Sequence, residues 1–355
     1  MQISMRGKPP TFICLPQPSF VPRLNVQNRA AHIGGKITQK LQTHGPNGFI
    51  KVFPILEIGV RRLRRYSMIS PSLGKRIEGA GLDIALVEQR VAQALAEDAH
   101  GGDLTSKATI DANLVSRASF NVRKSGTIAG TIIAAAVLEE CGLTHYEIKV
   151  SDGSAVEAGT TLITVEGNTQ AILLAERTAL NFLSHLSGIA TLTSAWVREV
   201  SGTETKIRDT RKTTPGLREL EKYAVRMGGG INHRMTLSHG ALIKDNHIAA
   251  AGSVTEAILR VKKEFPGVEI EVEVDNLEQL KEALHVGVDI VLLDNMSIEE
   301  TKAAVELTKN SPTELESSGG LKIENARAYA STGVDYLAVG ALTHSAPVLD
   351  IGLDF

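Results

Sequence analysis

Residues 270–295, IEVEVDNLEQLKEALHVGVDIVLLDN, contain the pattern that decides the fold. Apolar residues alternate over Ile270–Val274, recur at helical spacing over Leu277–His285 and run together over Ile290–Leu293. This order predicts a strand, a helix and a second strand. A helix between two short apolar strands is typical of a βαβ unit, whose strands lie parallel in one sheet.

The same alternation extends in both directions from this unit. Further strands are predicted at Lys206–Asp209, Ala241–Lys244, Thr313–Glu316 and Tyr336–Val339. Further helices are predicted at Leu217–Met227, Val254–Phe265, Ile298–Lys309 and Ile323–Ala330. So many βα units favour an α/β fold with an open, TIM-like α/β barrel. A doubly wound open sheet is the alternative, but no glycine-rich dinucleotide fingerprint follows its first strand.

A different pattern precedes the barrel region. Helical spacing of apolar residues predicts a helix over Leu82–Ala96, for which Asp83 can provide the N-cap. After it come a predicted helix, Ala134–Cys141, and short β-rich segments separated by glycines, namely Ala118–Val122, Thr127–Ala129 and Glu147–Val150. We therefore expect an N-terminal α+β sandwich domain over residues 68–175.

A long helical pattern over Glu176–Val200 begins the barrel domain, which we assign to residues 176–345. A break is expected near Gly188, because glycine weakens the interior of a helix. Residues 346–355 remain as a C-terminal segment.

Residues 1–67 differ in charge from the rest of the chain. They contain eleven Lys or Arg and one acid, a net charge of +10, whereas residues 68–355 carry 27 basic and 39 acidic groups, a net charge of −12. We expect a disordered extension. It is interpreted as sequence upstream of a working start at Met68, which implies a cytoplasmic protein. The alternatives are a plastid or mitochondrial transit peptide and a basic tail for nucleic acid.

Composition excludes several classes of protein. There is no run of 18 apolar residues, so a membrane-spanning helix is not expected. The two cysteines, Cys14 and Cys141, have no motif spacing, which excludes a disulfide scaffold and a zinc framework. We expect neither a membrane nor a nucleic-acid partner.

The predicted barrel strands all end in charged or glycine-rich motifs, and active sites of such barrels lie at these ends. The motifs are Asp209–Thr213, Lys244–His247, Glu271–Asp275, Asp294–Asn295, Ser317–Gly320 and Gly340–Ala341. Four strong cations, joined by His233, are expected near one another: Arg211, Lys212, Arg234 and Lys244. Like charges at close range repel, so this cluster predicts a phosphorylated or polycarboxylate ligand.

Two acids supply the opposite charge. Glu273 and Asp294 can hold ribose hydroxyls, coordinate Mg²⁺ or stabilise a developing cation. The alternative is that they form internal ion pairs with Lys212 or Lys244. Gly319-Gly320 and Gly340-Ala341 can present backbone amides to a phosphate.

Several motifs together resemble the quinolinate phosphoribosyltransferases of bacterial type, over about residues 82–355. They are Lys206–Arg218, Gly228–Arg234, Ile243–Ile248, Ala175–Asn181, Ser187–Thr191, Glu271–Asp275, Leu293–Asn295, Glu316–Gly320 and Gly340–Ser345. The resemblance implies a barrel joined to an α/β sandwich. It also implies a homodimer with shared active sites, with a hexamer as the alternative assembly. It implies conversion of quinolinate and phosphoribosyl pyrophosphate to nicotinate mononucleotide, pyrophosphate and CO₂ with Mg²⁺, in NAD synthesis.

The resemblance also implies a role for each matching residue. Quinolinate would be bound by Arg211, His233, Arg234 and Lys244, with Arg177 reaching the site of the neighbouring subunit. Lys212 would act at phosphoribosyl transfer, and Glu273 and Asp294 would contact the ribose and its Mg²⁺. Phosphate loops would be formed by Ser318, Gly319, Gly320 and Gly340, and Thr210, Val339 and Ala341 complete the predicted substrate-binding set. The predicted catalytic residues are Lys212, Lys244, Glu273 and Asp294.

One enzymatic and one non-enzymatic alternative remain. A nicotinate phosphoribosyltransferase would act without decarboxylation, but its substrate has one carboxylate and needs fewer cations. The run Asp152–Leu162 is similar to lipoyl or biotinyl carrier domains, but no lysine lies between Asp152 and Gln170 to carry the group.

Overall fold

The structure, a computed structural model, describes residues 68–355, so the predicted extension over 1–67 lies outside the described residues. The helices are α1 (Pro71–Gly79), α2 (Ile84–Ala99), α3 (Leu104–Thr109), α4 (Thr131–Glu140), α5 (Thr169–Glu199), α6 (Arg218–Met227), α7 (Asp245–Ala251), α8 (Val254–Glu264), α9 (Leu277–Val286), α10 (Ile298–Thr308), α11 (Ile323–Ala330) and α12 (Ala341–His344). The strands are β1 (Val115–Val122), β2 (Gly126–Thr127), β3 (His145–Ile148), β4 (Ala155–Val156), β5 (Thr161–Asn168), β6 (Lys206–Arg208), β7 (Ala241–Ile243), β8 (Ile270–Val274), β9 (Ile290–Asp294), β10 (Glu314–Ser318), β11 (Tyr336–Ala338) and β12 (Ile351–Asp354).

Six parallel strands form the larger sheet, in the order β6, β11, β10, β9, β8, β7. The order follows the chain from β7 to β11, and the first strand, β6, then pairs with the last, β11, through Ile207 and Leu337. This return of the first strand to the last is the closure of a barrel, and a doubly wound sheet would instead reverse direction at a switch point. The predicted TIM-like barrel is confirmed.

The barrel is open on one side. Beyond β6, Arg208 makes a single parallel bridge to Ile231, and within residues 68–355 no ladder continues from there to β7. The strands themselves are buried because they are apolar where they meet the outer helices, as in β9, where Ile290, Val291, Leu292 and Leu293 are all buried.

The N-terminal layer is a four-stranded antiparallel sheet in the order β12, β1, β5, β3. Helix α4 packs against it and is buried from Thr131 to Glu139, so its sequence has apolar residues on every side. The sheet and its helices confirm the predicted α+β sandwich. The outermost strand, β12, comes from the C-terminal segment, where Leu353 pairs with Phe120 of β1.

The predicted helix break near Gly188 is wrong, because α5 runs without interruption through Gly188. A Cβ atom at Gly188 would lie 2.1 Å from the Pro347 carbonyl oxygen, so glycine is required there for close approach of the chain rather than for a bend. This single helix also spans residues 175 and 176, where the sequence places the domain boundary.

Smaller differences concern elements whose signals are short. Helices α1, α3 and α7 carry no clear signal in the sequence, and β10 ends two residues beyond Glu316, its predicted last residue. The predicted cap of α2 is confirmed, since the Asp83 carboxylate accepts hydrogen bonds from the Ala85 and Leu86 amides. Among residues 68–355, no helix has the length and apolar character needed to cross a bilayer.

Candidate active site

A cavity of about 440 Å³ lies at the carboxyl ends of the barrel strands. Its volume is in the range of ordinary small-molecule sites. Nine predicted site residues line it together: Thr210, Arg211, Lys212, His233, Arg234, Lys244, Glu273, Asp294 and Ser318. Some of these residues follow β6 and others follow β7, the two edge strands of the sheet. The sheet must therefore curve so that both of its edges face the same cavity.

The cations of the cavity are only partly neutralised by the protein. Lys244 contacts the Glu273 carboxylate, which is the internal ion pair that the sequence left open as an alternative. Arg234 donates from Nη1 to the Gly240 carbonyl at 2.7 Å, but the Nε atoms of Arg211 and Arg234 are buried without a hydrogen-bond partner. Burial, and then the nearby charge of Arg211, lower the pKa of Arg234. An anionic ligand would relieve both effects.

A buried ion pair supports the loops that carry these cations. Lys222 of α6 donates to Asp209 at 2.6 Å, and both side chains are fully inaccessible. Lys222 also donates to the carbonyls of His233 at 2.7 Å and Arg234 at 3.2 Å. Burial lowers the pKa of Lys222 and raises that of Asp209, and their mutual contact opposes both shifts. The pair therefore joins the end of β6 to the His233 segment.

A second set of buried charged groups forms the floor of the cavity, which His233 and Glu316 line. His233 Nε2 lies 2.5 Å from Glu271 Oε2, and Arg208 Nη1 lies 2.9 Å from Glu316 Oε2. Burial lowers the pKa of His233 to about 4 and raises the pKa values of Glu271 and Glu316 to about 7. His233 is accordingly a neutral imidazole at pH 7, able to donate from one ring nitrogen and accept at the other.

Sequence reasoning did not identify Arg208, Glu316 or Lys222 as supports of the site. A signal for the first two was present, because residues two apart in a strand face the same side. Glu316 precedes the predicted Ser318 by two, and Arg208 precedes Thr210 by two. Polar residues at these inward positions could have been found in that way.

Two groups of acidic side chains offer oxygen ligands for a metal ion. Ligand atoms of His233, Glu271 and Glu316 lie within 4.8 Å of one another, but the Arg208 guanidinium already occupies the Glu316 carboxylate, so this cluster does not suit a cation. Asp294 and Glu273 lie at neighbouring strand ends and are both partly exposed to the cavity. Asp294, and Glu273 once its contact with Lys244 is broken, offer the oxygen ligands that Mg²⁺ prefers, so the residues fit this ion.

The glycine motif after β10 has a backbone that other residues would strain. Gly319 has φ +82°, and a Cβ atom there would lie 2.2 Å from Asn295 Oδ1. Asn295 is itself left-handed at φ 54° and donates its amide to the Ser318 carbonyl at 2.9 Å. The tight approach of these two strand ends places Ser318 beside Asp294 in the sheet register.

The remaining predicted residues do not line the cavity. Gly340 lies next to it, since a Cβ atom there would be 3.0 Å from Lys212 Cδ. Val339 is buried and donates its amide to the Arg208 carbonyl. Gly320 and Ala341 are likewise outside the cavity wall. Arg177 is exposed on α5, away from the cavity of its own chain.

A TIM-like barrel whose strand ends surround a cationic cavity defines a class, the barrel enzymes that bind polyanionic substrates. Comparison with known families narrows this class. Residues 103–187 match the N-terminal domain of quinolinate phosphoribosyl transferase, and residues 189–354 match its C-terminal domain. The chain belongs to the quinolinate phosphoribosyltransferase family.

Individual relatives agree with this assignment. A nicotinate-nucleotide pyrophosphorylase [carboxylating] from Mycobacterium leprae is 52% identical over 270 residues, 74% of this chain and 95% of the relative. The solved nicotinate-nucleotide pyrophosphorylase from Ehrlichia chaffeensis is 44% identical, with a TM-score of 0.72 over 75% of this chain and 97% of its own. The corresponding enzyme from Francisella tularensis is 39% identical, with a TM-score of 0.73 over 76% and 96%.

Proposed function

We propose that this chain transfers a phosphoribosyl group to quinolinate and releases CO₂, forming nicotinate mononucleotide and pyrophosphate for NAD synthesis. The observation that carries the proposal is the cavity in which Arg211, Lys212, Arg234 and Lys244 face Glu273 and Asp294. Quinolinate is a dianion and phosphoribosyl pyrophosphate a polyanion, so both substrates suit this charge. The relatives named above carry the names of this activity.

Quinolinate is bound by the cationic side of the cavity. Arg211 and Arg234 can each hold a carboxylate with two parallel N–H donors, which fixes the plane of the ring. Lys244 adds a third cation and is released from Glu273 to do so. His233 lies on the same side of the cavity as a neutral ring whose Nε2 is engaged by Glu271, so it adds no further charge.

Phosphoribosyl pyrophosphate is bound between Lys212, the Ser318–Gly320 segment and the two acids. Glu273 and Asp294 are the residues that would hold Mg²⁺, which when bound neutralises pyrophosphate charge. Lys212 adds a positive charge on the same side. Ser318, Gly319, Gly320 and Gly340 provide hydroxyl and backbone donors for the 5′-phosphate.

The transfer step moves the ribose from pyrophosphate to the ring nitrogen of quinolinate. The C1′–oxygen bond breaks, its electron pair leaves on pyrophosphate, and the nitrogen lone pair forms the new C1′–N bond. The positive charge that develops at C1′ is stabilised by a carboxylate oxygen of Glu273 or Asp294 that does not hold the ion, and the leaving oxygen by Lys212. Removing one such contact is expected to cost about 3 kcal/mol in barrier.

Decarboxylation follows transfer. Once ribosylated, the ring is a pyridinium, and its cationic nitrogen stabilises the electron pair that stays on C2 when the C2–carboxylate bond breaks. A proton from the site or solvent then takes the place of CO₂ at C2. This order predicts that CO₂ is released only when phosphoribosyl pyrophosphate is present.

Binding of quinolinate alone tests the assignment of the cationic side. Arg234→Ala is expected to weaken quinolinate binding at least tenfold by titration calorimetry, because it removes a charge-assisted pair of hydrogen bonds. Arg260→Ala is the matched control, since Arg260 is exposed and paired with Glu256 on the surface of α8. Equal affinity in both variants would refute the assignment.

The alternative substrate, nicotinate, is less suited to the site, because one carboxylate leaves part of the cationic cluster unpaired.

We also infer that two copies assemble as a dimer in which Arg177 completes the partner's site. Arg177→Ala and Lys244→Ala should then complement when mixed, because a mixed dimer has one intact site. Mixed dimers that remain inactive after confirmed exchange would contradict the shared site. Sedimentation velocity distinguishes the dimer from a hexamer.

We propose that the reaction takes place in the cytoplasm. A fusion of the full chain to a fluorescent protein tests this. Diffuse cytoplasmic signal is expected, whereas signal in a plastid or mitochondrion would show that residues 1–67 act as a transit peptide.

A further inference from the structure

One face of α6 contacts the loop that carries Lys212, although it does not line the cavity. We call residues 210–216 the Lys212 loop. Glu221 and Lys222 follow Arg218 by three and four residues, so both are its neighbours on the helix surface. Lys222 holds Asp209, as described above, whereas Arg218 and Glu221 hold the other side of the loop. Neither of the latter two is needed to explain substrate binding.

Glu221 is a buried carboxylate with a specific set of contacts. Its side chain is fully inaccessible. Oε2 accepts the Thr214 amide at 3.0 Å, and Oε1 lies 2.9 Å from Nε2 of His185 on α5. A carboxylate without solvent is costly unless its oxygens are satisfied. Both oxygens of Glu221 are used here, one of them on the backbone of the Lys212 loop.

Arg218 holds the loop at neighbouring points. Its Nε donates to Thr213 Oγ1 at 3.0 Å, and its Nη2 donates to the Arg211 carbonyl at 3.4 Å. On the opposite side, Thr343 Oγ1 donates to the Lys212 carbonyl at 2.7 Å. The backbone on either side of Lys212 is therefore fixed, while the Lys212 side chain is exposed to the cavity.

From these contacts we infer that Glu221, itself held by His185, is a positioning residue that places Lys212 for phosphoribosyl transfer. It acts through the Thr214 amide and does not touch substrate. The inference rests on the proposed function, because it takes from it the role of Lys212. Of the residues proposed to bind quinolinate, His233, Arg234 and Lys244 lie outside the Lys212 loop. Arg211 lies within it, but its carbonyl is held by Arg218 rather than by Glu221. Loss of Glu221 should therefore slow turnover and leave quinolinate affinity nearly unchanged.

The test compares three variants of the full chain. Glu221→Ala is expected to lower kcat about tenfold to a hundredfold, as a small displacement of a reacting group does, with the Kd of quinolinate within about threefold of wild type. Glu221→Gln should recover most of kcat, because its amide can accept from Thr214 and donate to the other tautomer of His185. Glu219→Ala is the matched control, since Glu219 is an exposed carboxylate in the same helical turn. Its kcat and quinolinate Kd should equal those of wild type.

The outcomes distinguish a positioning role for Glu221 from a purely structural one. An unchanged kcat in folded Glu221→Ala would overturn the inference. A parallel loss of kcat and quinolinate affinity would also overturn it, because such a loss indicates general damage to the fold. If Glu221→Ala does not fold, His185→Ala decides, since it removes the contact that holds Glu221. It should lower kcat with quinolinate affinity retained, and an unchanged kcat would overturn the inference. A wild-type chain that forms no nicotinate mononucleotide would refute the proposed function itself.

Discussion

Replacement of Lys222 by methionine tests whether the site rests on a buried ion pair. Methionine keeps the length of the side chain but removes the ammonium group, which makes three contacts at 2.6, 2.7 and 3.2 Å to Asp209, His233 and Arg234. Because both charged groups are inaccessible, the loss leaves an unpaired carboxylate in the interior. Breaking such a pair costs about 3–5 kcal/mol, a large share of the roughly 5–15 kcal/mol that stabilises a folded protein.

The assay is chemical denaturation, with the free energy of unfolding compared between variants. Lys281→Met is the matched control, because Lys281 pairs with Glu278 on the surface, with 52% and 81% of the side chains exposed. Exposed pairs contribute about 0–1 kcal/mol. Adding Asp209→Asn to Lys222→Met should restore part of the loss by removing the isolated charge. If Lys222→Met and Lys281→Met destabilise equally, the reasoning from burial is refuted.

Three further predictions concern the cavity and the residues next to it. Lys244→Ala should lower kcat/KM for quinolinate about 10²–10³-fold, the cost of losing one stabilising donor, and a near-normal kcat/KM would contradict the assignment of the cation cluster. Gly319→Ala should raise the KM for phosphoribosyl pyrophosphate, because its Cβ would meet Asn295, whereas Gly287→Ala has a similar φ of +81° without that clash and should leave KM unchanged. Burial raises the pKa of Glu271 from 4.5 to about 7. Between these pH values the carboxyl group is therefore more protonated in the folded protein than in the unfolded chain. Its contribution to stability is present below pH 4.5 and is lost as pH rises through 7. The difference in the free energy of unfolding between wild type and Glu271→Gln should therefore fall by on the order of 3 kcal/mol from about pH 5 to 8. A difference that does not change with pH would argue against a buried carboxyl group with a raised pKa.

The barrel was predictable from the sequence because each βα unit carries its own local signal. Ile290–Leu293 is a continuous apolar run, and Leu277–His285 has clear helical spacing, so neither depends on distant contacts. The carboxyl ends of parallel strands must meet at one rim. Placing Glu273 and Asp294 near each other therefore needed only the strand assignments.

Features that depend on distant contacts were not predictable in the same way. Gly188 looks like a helix breaker by propensity, but its role is set by Pro347, almost 160 positions later in the chain. The pairing of β12 with β1 likewise depends on residues far apart in the sequence. Lys222 gives no sequence signal of burial, since lysine in an amphipathic helix is usually exposed.

The measurement that tests the central claim most directly is the stoichiometry of the products. The full chain, with Mg²⁺ and phosphoribosyl pyrophosphate, is supplied with quinolinate labelled at the C2 carboxylate, or with nicotinate in a parallel reaction. We predict equal amounts of nicotinate mononucleotide and labelled CO₂ from quinolinate, no CO₂ when phosphoribosyl pyrophosphate is omitted, and little product from nicotinate. Nucleotide formed from nicotinate, with quinolinate unreacted, would contradict the account.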